Sequence, residues 1–280
     1  MPTSKQRREA ARRHLERQLE RRQQRDARRR QMTLVGTVVG TLVIFAIVIT
    51  TIVMLTHDNK KSTTAAGTPT GTATPSASAS STAKPGECNF VAGGTAVRKV
   101  SLPAAKAPTS GIATATVKTT QGDMTFRLDR SKAPCTVASF ASLITQKYYD
   151  NTPCHRLTTS GIFVLQCGDP TGVGSGGPGY TIPDEKPTTL APSPAGNGTV
   201  TYPRGTLAMA KTSAPNSGGS QFFLVYADST LPPDYTVFGR IDEAGLATID
   251  KVAAAGADDS NGAGDGKPKT PVEIQKVTVS

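Results

Sequence analysis

Residues 32–56 form an uninterrupted run of 25 residues without a charged side chain. About 20 apolar residues are enough to cross the hydrocarbon core of a bilayer as an α-helix, so this run is long enough to span it. A helix of this length in the core of a soluble protein would carry a polar stripe, which the run lacks. No A-x-A cleavage pattern follows it, so the sequence predicts an uncleaved transmembrane anchor rather than a removable signal peptide.

Positive charge is concentrated before this run. Residues 1–31 contain 12 Lys and Arg against 4 Asp and Glu, a net charge of +8 out of +11 for the whole chain. Basic residues are retained on the cytoplasmic side, which predicts a single-pass protein of the cell membrane with a cytoplasmic N-terminus and an extracytoplasmic domain. A basic tail is also compatible with binding to anionic lipid or RNA, but a topology signal on a solvated segment is the simpler interpretation.

The rest of the chain divides by composition into three parts. Residues 57–86 are rich in Thr, Ser, Ala, Pro and Gly and are predicted to form an extended stalk, because such a segment cannot offset its ordering entropy. Residues 87–111 form a pre-domain segment. Residues 112–280 combine short alternating runs, turn-rich links and two stretches of helical spacing, near 134–148 and 242–255. The predicted strands are 112–118, 124–128, 155–157, 163–166, 206–210, 221–226, 236–240 and 273–279.

This pattern predicts a mainly β fold class, a closed antiparallel barrel capped by two α-helices. The chain beyond residue 31 carries a net charge of only +3. A nucleic-acid-binding domain needs a basic face on its folded part, so the charge distribution argues against one.

Four cysteines lie beyond the apolar run, and an even number in an oxidising compartment favours disulfides, for which three pairings exist. If the strands that follow Cys154 and precede Cys167 form a hairpin, these two residues end nearly opposite one another. Cys88 would then tie the pre-domain segment to Cys135 at the start of the first helix. No two cysteines have the C-x-x-C spacing of zinc sites, and three histidines in the chain are too few for a His-rich metal site.

A serine-hydrolase mechanism is an alternative chemistry because Ser220 follows two glycines. The sequence has no G-x-S-x-G motif, however, and His155 is the only histidine beyond residue 57. His155 precedes an alternating strand, where a side chain that fills the barrel is as good an interpretation as a base. Nucleophilic catalysis is therefore the weaker hypothesis.

The segment around residues 154–170 is more informative. Arg156 and Gln166 are polar residues among apolar ones on two predicted neighbouring strands, with Phe163 between them. In a hairpin of this register the three side chains would present a cation, an amide and a ring to one surface. A buried arginine needs a partner, so an ordinary core position explains Arg156 poorly.

Residues 209–226 contain a Pro-Asn-Ser-Gly-Gly turn followed by a predicted strand. Alternation along that strand puts Gln221 and Phe223 on one face and Phe222 on the other. Phe222 is predicted to be an ordinary core residue. The face of Gln221 is a candidate binding surface.

Five short motifs follow one another along the chain: His155-Arg156, FVLQCGD at 163–169, Met209-Ala210, GSQFF at 219–223 and VFG at 237–239. Together they resemble the cyclophilin family of peptidyl-prolyl cis-trans isomerases, and the resemblance covers residues 112–280. The Gly-rich stretch at 168–185 is similar to bacterial members, and the layout of tail, span and stalk resembles membrane-anchored actinobacterial cyclophilins. The family fold is an eight-stranded antiparallel barrel with two capping helices.

The resemblance implies an enzyme that accelerates rotation about X-Pro peptide bonds and needs no cofactor or metal. Arg156 would be the donor to the prolyl nitrogen, and Gln166 and Gln221 would position the substrate backbone. The remaining site residues implied by the resemblance are Phe163, Val164, Phe223 and Leu231 in the proline pocket, and Ala210 and Lys211 in the neighbouring groove.

Three positions depart from the family pattern. Val164 stands where eukaryotic members usually have Met, Thr230 replaces the Trp at the pocket edge, and Tyr235, another predicted substrate contact, replaces a His found in many members. Loss of the indole removes a large contact surface and an N–H donor, which predicts weak cyclosporin binding at most. The segment between Arg156 and Phe163 is two residues longer than in the family.

The leading hypothesis is a membrane-anchored prolyl isomerase that assists the folding of extracytoplasmic proteins. Its partners would be proline-containing peptides and unfolded or folding chains, with no nucleic acid and no cofactor. A second hypothesis is a proline-peptide-binding module or chaperone with little turnover, which would not need the charge of Arg156. A third is a structural or sensor protein whose tail and stalk carry the function.

Overall fold

The structure is a computed structural model that describes residues 84–280. The basic tail, the predicted transmembrane helix and nearly all of the predicted stalk lie outside these residues. Neither of the helices within the described residues is long and apolar enough to cross a membrane.

The described residues contain two helices and fourteen strands, and each of the eight predicted strands coincides with one of them. The helices are α1 (Pro134–Thr145) and α2 (Glu243–Ala255). The first seven strands are β1 (Val91–Ala92), β2 (Ile112–Thr119), β3 (Gly122–Asp129), β4 (Thr152–Pro153), β5 (Arg156–Ser160), β6 (Ile162–Cys167) and β7 (Tyr180–Thr181). The others are β8 (Val200–Tyr202), β9 (Thr206–Met209), β10 (Phe222–Val225), β11 (Ser229–Leu231), β12 (Val237–Ile241), β13 (Asp265–Gly266) and β14 (Glu273–Val279).

Ten strands form one antiparallel sheet in the order β13-β5-β6-β10-β9-β12-β3-β2-β14-β4. β4 lies at one end of this order, yet its last residue, Pro153, is three positions before Arg156, which begins β5 near the other end. Three residues of extended chain span about 10 Å, so the two ends of the sheet must come close together and the sheet curls. Within the described residues the end strands do not pair with each other, so the structure shows a curled antiparallel sheet of ten strands instead of a closed eight-stranded barrel.

Side-chain alternation sorts the apolar residues of the sheet into two clusters. Leu165 and Phe222 belong to the main core, whereas their neighbours Val164 and Phe223 belong to a second cluster. Successive side chains of a strand point to opposite faces, which explains the separation. The prediction that Phe222 and Phe223 face opposite ways is confirmed.

The N-terminus of α1 is fixed from outside the helix. Pro134 occupies the first turn, where its fixed φ favours the helix and its missing N–H is not needed. The Glu185 carboxylate accepts the backbone N–H of Cys135 at 2.9 Å and of Thr136 at 2.8 Å. α1 ends about three residues before its predicted end, because Lys147 adopts a left-handed conformation with φ of 58°.

The pre-domain segment (residues 87–111) packs on the sheet domain and is fixed at several points. β1 pairs antiparallel with β7. Cys88 is disulfide-bonded to Cys135 at the start of α1. The Arg98 guanidinium donates to the backbone carbonyl of Tyr148 at 2.8 Å. The residues between these contacts therefore have positions set by the domain.

A second disulfide joins Cys154 to Cys167. Together with the Cys88–Cys135 bond, this is the pairing that the sequence favoured. Cys154 is two positions before Arg156, and Cys167 directly follows Gln166. The bond therefore closes the end of the β5–β6 hairpin that carries both polar residues.

Candidate active site

The β5–β6 hairpin places Arg156 and Gln166 directly opposite each other. Nη1 of Arg156 donates to Oε1 of Gln166 at 3.3 Å. Directly opposed residues of an antiparallel pair lie on the same face, so the two side chains share one surface. The predicted juxtaposition of the cation and the amide is present.

Asp265 of β13 holds the Arg156 guanidinium on another side. Nε donates to Oδ1 at 2.8 Å and Nη2 donates to Oδ2 at 2.7 Å, with the two side chains 34% and 28% exposed. This pairing raises the pKa of Arg156 and holds the pKa of Asp265 below its usual range. Arg156 thus stays charged in a fixed orientation, and two of its five N–H groups have no partner among the described residues.

A chain of hydrogen bonds continues from Gln166 into the loop after β6. Its Nε2 donates to Oε1 of Gln221 at 3.0 Å, and Nε2 of Gln221 donates to the carbonyls of Gly174 at 2.9 Å and Gly176 at 3.1 Å. The Asp169 carboxylate accepts the N–H groups of both glycines, at 2.7 and 3.0 Å. The two glutamine amides are therefore fixed in orientation, since each is bonded at both ends.

The second cluster supplies the apolar part of the site. It contains Val164 and Phe223, and Leu231 and Tyr235 pack against it. The ring of Phe223 stands edge-on to Tyr235, with the centroids 5.5 Å apart and an interplanar angle of 84°. Phe223 pairs with Gln166 across β10 and β6, so this cluster adjoins the polar residues on the same face. Four predicted substrate contacts are thus brought together.

Phe163 does not join this cluster. It lies three positions before Gln166 on β6, and residues an odd number of positions apart project from opposite faces of a strand. Its ring packs against the main core, edge-on to Tyr226 with the centroids 6.0 Å apart. The structure therefore groups the half-buried Phe163 ring with the main core. Its role in the proline pocket stays a prediction.

Ala210 and Lys211 line a cavity of about 520 Å³ together with Gln166 and Gln221. This cavity corresponds to the groove predicted beside the proline pocket, and we call it the flanking cavity. Nζ of Lys211 is 2.6 Å from Oδ2 of Asp184, and the two side chains are only 8% and 11% exposed. Because the ammonium has this partner, it gives the flanking cavity little net charge.

Ser220 and His155 do not form a nucleophile and base. The Ser220 hydroxyl is buried and donates to the carbonyl of Gly168 at 2.8 Å, and its oxygen lies 3.2 Å from the Tyr148 hydroxyl. Neither ring nitrogen of His155 has a hydrogen-bond partner among the described residues. A serine hydrolase needs a hydrogen bond between the two side chains, so this alternative is not supported.

The site is a fixed cation and two fixed amides beside an apolar cluster, an arrangement suited to binding a polypeptide and stabilising charge on one of its atoms. A family model described as cyclophilin type peptidyl-prolyl cis-trans isomerase/CLD matches residues 114–279, more than half of the chain. The chain belongs to the cyclophilin family.

Several cyclophilins of known sequence are similar to the chain. Probable peptidyl-prolyl cis-trans isomerase B of Mycobacterium leprae is 52% identical over 178 residues, which cover 62% of this chain and 59% of that protein. The Mycobacterium tuberculosis protein of the same name is 51% identical over 187 residues, which cover 65% of this chain and 60% of that protein. The match thus spans about 60% of the length of these relatives. Peptidyl-prolyl cis-trans isomerase A of Mycobacterium tuberculosis is 33% identical over 92% of its length.

A crystal structure of a cyclophilin type peptidyl-prolyl cis-trans isomerase from Cryptosporidium parvum is also similar. It is 30% identical, covers 61% of this chain and 98% of its own, and gives a TM-score of 0.48. A second structure of that protein, in the presence of the dipeptide Ala-Pro, is 31% identical with a TM-score of 0.47.

Sequence reasoning missed Asp265. β13 is two residues long, and Asp265 lies 109 positions after Arg156 in a polar, Gly-rich segment that is typical of a solvated turn. The available signal was indirect. An arginine among apolar residues requires an acidic partner, but the pattern does not say which acid supplies it.

The positions that depart from the cyclophilin pattern have simple structural roles. The two additional residues lengthen the β5–β6 hairpin, which turns at Gly161 with φ of 76° between the paired Ser160 and Ile162. Thr230, where the family has Trp, places its Oγ1 3.0 Å from the Ser193 hydroxyl. Tyr235 packs edge-on to Phe223 and so keeps an aromatic ring beside the second cluster.

Proposed function

We propose that the chain is a peptidyl-prolyl cis-trans isomerase that acts on proline-containing polypeptides. The observation that carries the proposal is the Arg156 guanidinium, fixed by Asp265 and Gln166 beside the apolar cluster of Phe223. Relatives that cover the matched region carry the name of this activity.

The difficulty of the reaction lies in the amide bond. Partial double-bond character gives a rotation barrier of about 18–20 kcal/mol, and X-Pro bonds isomerise in roughly tens to hundreds of seconds. Twisting the bond ends its conjugation and localises the lone pair on the prolyl nitrogen. A donor aimed at that nitrogen binds the twisted state more strongly than the planar one, which lowers the barrier.

Each part of the site has a role in this rotation. Val164 and Phe223 would hold the proline ring and exclude water, while an unpaired N–H of Arg156 donates to the prolyl nitrogen as it twists. Gln166 and Gln221 would hold the backbone on the carbonyl side. No covalent bond is made or broken, so the rotation requires no nucleophile and no cofactor.

The test is the relaxation of an X-Pro peptide from cis to trans with the full chain in detergent solution. We expect relaxation that accelerates in proportion to protein concentration. A rate equal to the uncatalysed one at every concentration would overturn the proposal.

A second candidate function is a proline-peptide-binding module with little turnover. The observation in its favour is the Arg156–Asp265 pair, because the carboxylate offsets part of the charge that a catalyst would direct at the substrate. Saturable binding of X-Pro peptides without acceleration of their isomerisation would support this function.

We further propose that residues 32–56 anchor the protein in the cell membrane, with residues 84–280 outside the cytoplasm. The uncharged run and the basic residues before it support this orientation. The two disulfides provide independent support, because such bonds persist in oxidising compartments and are rare in the cytosol.

This topology can be tested by adding protease to cells. The layers outside the cell membrane are first made permeable, while the cell membrane stays intact. We expect loss of the domain while an epitope at the N-terminus is protected. A protected domain with an accessible N-terminus would overturn the orientation, and release of the whole protein by salt washing would overturn the anchor.

A further inference from the structure

We propose that the pre-domain segment forms one wall of the flanking cavity, through Gly93, Gly94 and Thr95, and that this wall determines which residue is accepted beside the substrate's proline. The inference rests on the proposed isomerase function. The three residues lie outside residues 114–279, the part of the chain that the cyclophilin model matches.

The wall lies beside the groups that would hold the substrate backbone. Gly93, Gly94 and Thr95 line the same cavity as Gln166 and Gln221. A cavity of about 520 Å³ is on the order of 8 Å across, the length of two or three residues of extended chain. A polypeptide held by the two amides would therefore place a residue close to its proline against the wall.

The wall is fixed on both sides of Gly94. The N–H of Gly93 donates to the carbonyl of Gly179 at 3.0 Å, and the N–H of Val97 donates to the carbonyl of Gly177 at 3.0 Å. The Cys88–Cys135 disulfide ties the same segment to α1. A wall with these attachments is preorganised, so it selects by shape and does not have to order when a peptide binds.

The wall leaves space because two of its residues have no side chain. A Cβ built on Gly93 or Gly94 would meet nothing within 4 Å. The Lys211 ammonium in the cavity is already paired with Asp184, so the cavity offers no unpaired charge from that side. The predicted ligand is a substrate polypeptide with a bulky, uncharged side chain within about three residues of its proline.

Gly93→Trp tests the wall, because its backbone is not left-handed and its Cβ has room. Leu102→Trp is the matched control, since Leu102 is 51% exposed on the same segment and does not line the cavity. Peptides would carry Gly or Phe at each of three positions on either side of the proline. At one of these positions we expect Gly93→Trp to lower kcat/KM about tenfold for the peptide that carries Phe. For the peptide with Gly at that position, kcat/KM should change less than about twofold. In Leu102→Trp, kcat/KM should change less than about twofold for both peptides.

A second readout does not depend on catalysis. The chain contains no tryptophan, so the introduced indole is the sole indole fluorophore in each variant. Peptide binding should change the emission of the Gly93→Trp protein and leave that of Leu102→Trp unchanged. If the wild type fails to isomerise any peptide but the Gly93→Trp emission responds, the proposed enzyme function fails and the wall stands.

The inference is overturned if wild type and Gly93→Trp discriminate all peptides equally and the emission does not respond to binding. If the Gly93→Trp protein does not fold, Thr95→Trp provides the same test, because it introduces the indole at the other end of the wall. Unchanged selectivity and unchanged emission in a folded Thr95→Trp protein would overturn the inference in the same way.

Discussion

Asp265 holds Arg156 through two parallel N–H···O bonds of 2.8 and 2.7 Å, although 109 positions separate the two residues in sequence. Such a bidentate pair fixes the plane of a guanidinium as well as its position. In the proposed mechanism an N–H of Arg156 must point at the prolyl nitrogen. Asp265 is therefore a positioning residue, which acts on the reaction through Arg156.

Asp265→Ala should lower kcat/KM about 10- to 100-fold, because a displaced guanidinium no longer lies on the line of the twisting nitrogen. In an Arg156→Ala background the same change should have almost no effect, since the residue it positions is gone. Asp258→Ala is the control. Asp258 accepts the N–H of Lys267 at 2.8 Å in the same loop but does not contact Arg156. Equal losses in both backgrounds would show that Asp265 only maintains the fold.

His155 should make the stability of the domain sensitive to mild acid. Burial lowers the pKa of His155 below its usual value of 6.5, so the folded state favours the neutral ring. Below pH 6.5 His155 is protonated in the unfolded chain. In the folded chain it stays neutral until the pH reaches its lower folded-state pKa. The free energy of unfolding should therefore fall as the pH drops from 7.5 to 5.5, by at most about 1.4 kcal/mol per pH unit.

Denaturant unfolding of the full chain in detergent measures this slope, and His155→Phe should flatten it. The other two histidines, His14 and His57, lie in the tail and the stalk and are unchanged in the variant. An identical slope in wild type and variant would assign the acid sensitivity to other groups.

The Lys211–Asp184 pair should contribute far more to stability than a surface pair in the neighbouring loops. Lys211→Ala leaves Asp184 nearly buried without its cation and should cost about 3 kcal/mol. Lys186→Ala breaks a pair with Asp234 of nearly the same length, 2.7 Å, but with side chains 59% and 47% exposed, and should cost far less because solvent screens an exposed pair. Denaturant midpoints of the two variants give the comparison, and equal shifts would contradict it.

Thr230→Trp should strengthen cyclosporin binding by about tenfold, because it restores a large aromatic surface and an N–H donor at the position where the family has Trp. Thr230→Leu is the matched variant, since it adds apolar surface without the donor. We expect titration calorimetry to give the highest cyclosporin affinity for Thr230→Trp, a lower one for Thr230→Leu and the lowest for the wild type. Equal cyclosporin affinities of the two variants would show that the indole N–H does not contribute to binding.

Local patterns predicted the part of the site that depends on hairpin register. Arg156 and Gln166 lie on strands joined by a short turn, so alternation and the turn fix their pairing, and the same argument placed Phe222 and Phe223 on opposite faces. The packing of Phe163 against the main core could also have been predicted from local information. Its odd separation from Gln166 already turns it to the other face.

Other parts of the fold could not be predicted because they depend on distant contacts. Strands of two or three residues, such as β4 and β13, are too short to show a period. Glu185 reaches the start of α1 from 49 positions away. The contribution of Gly93 to the flanking cavity depends on where β7 packs, which no motif in the pre-domain segment indicates.

The most direct test of the central claim compares wild type with Arg156→Ala and Arg156→Lys in the relaxation of an X-Pro peptide from cis to trans. Circular dichroism would show that the three proteins are equally folded. We predict that Arg156→Ala is slower by about two orders of magnitude and that Arg156→Lys recovers part of the rate, because it keeps the charge without the bidentate geometry. Equal acceleration by all three proteins would contradict the assignment of Arg156 as the group that stabilises the twisted bond.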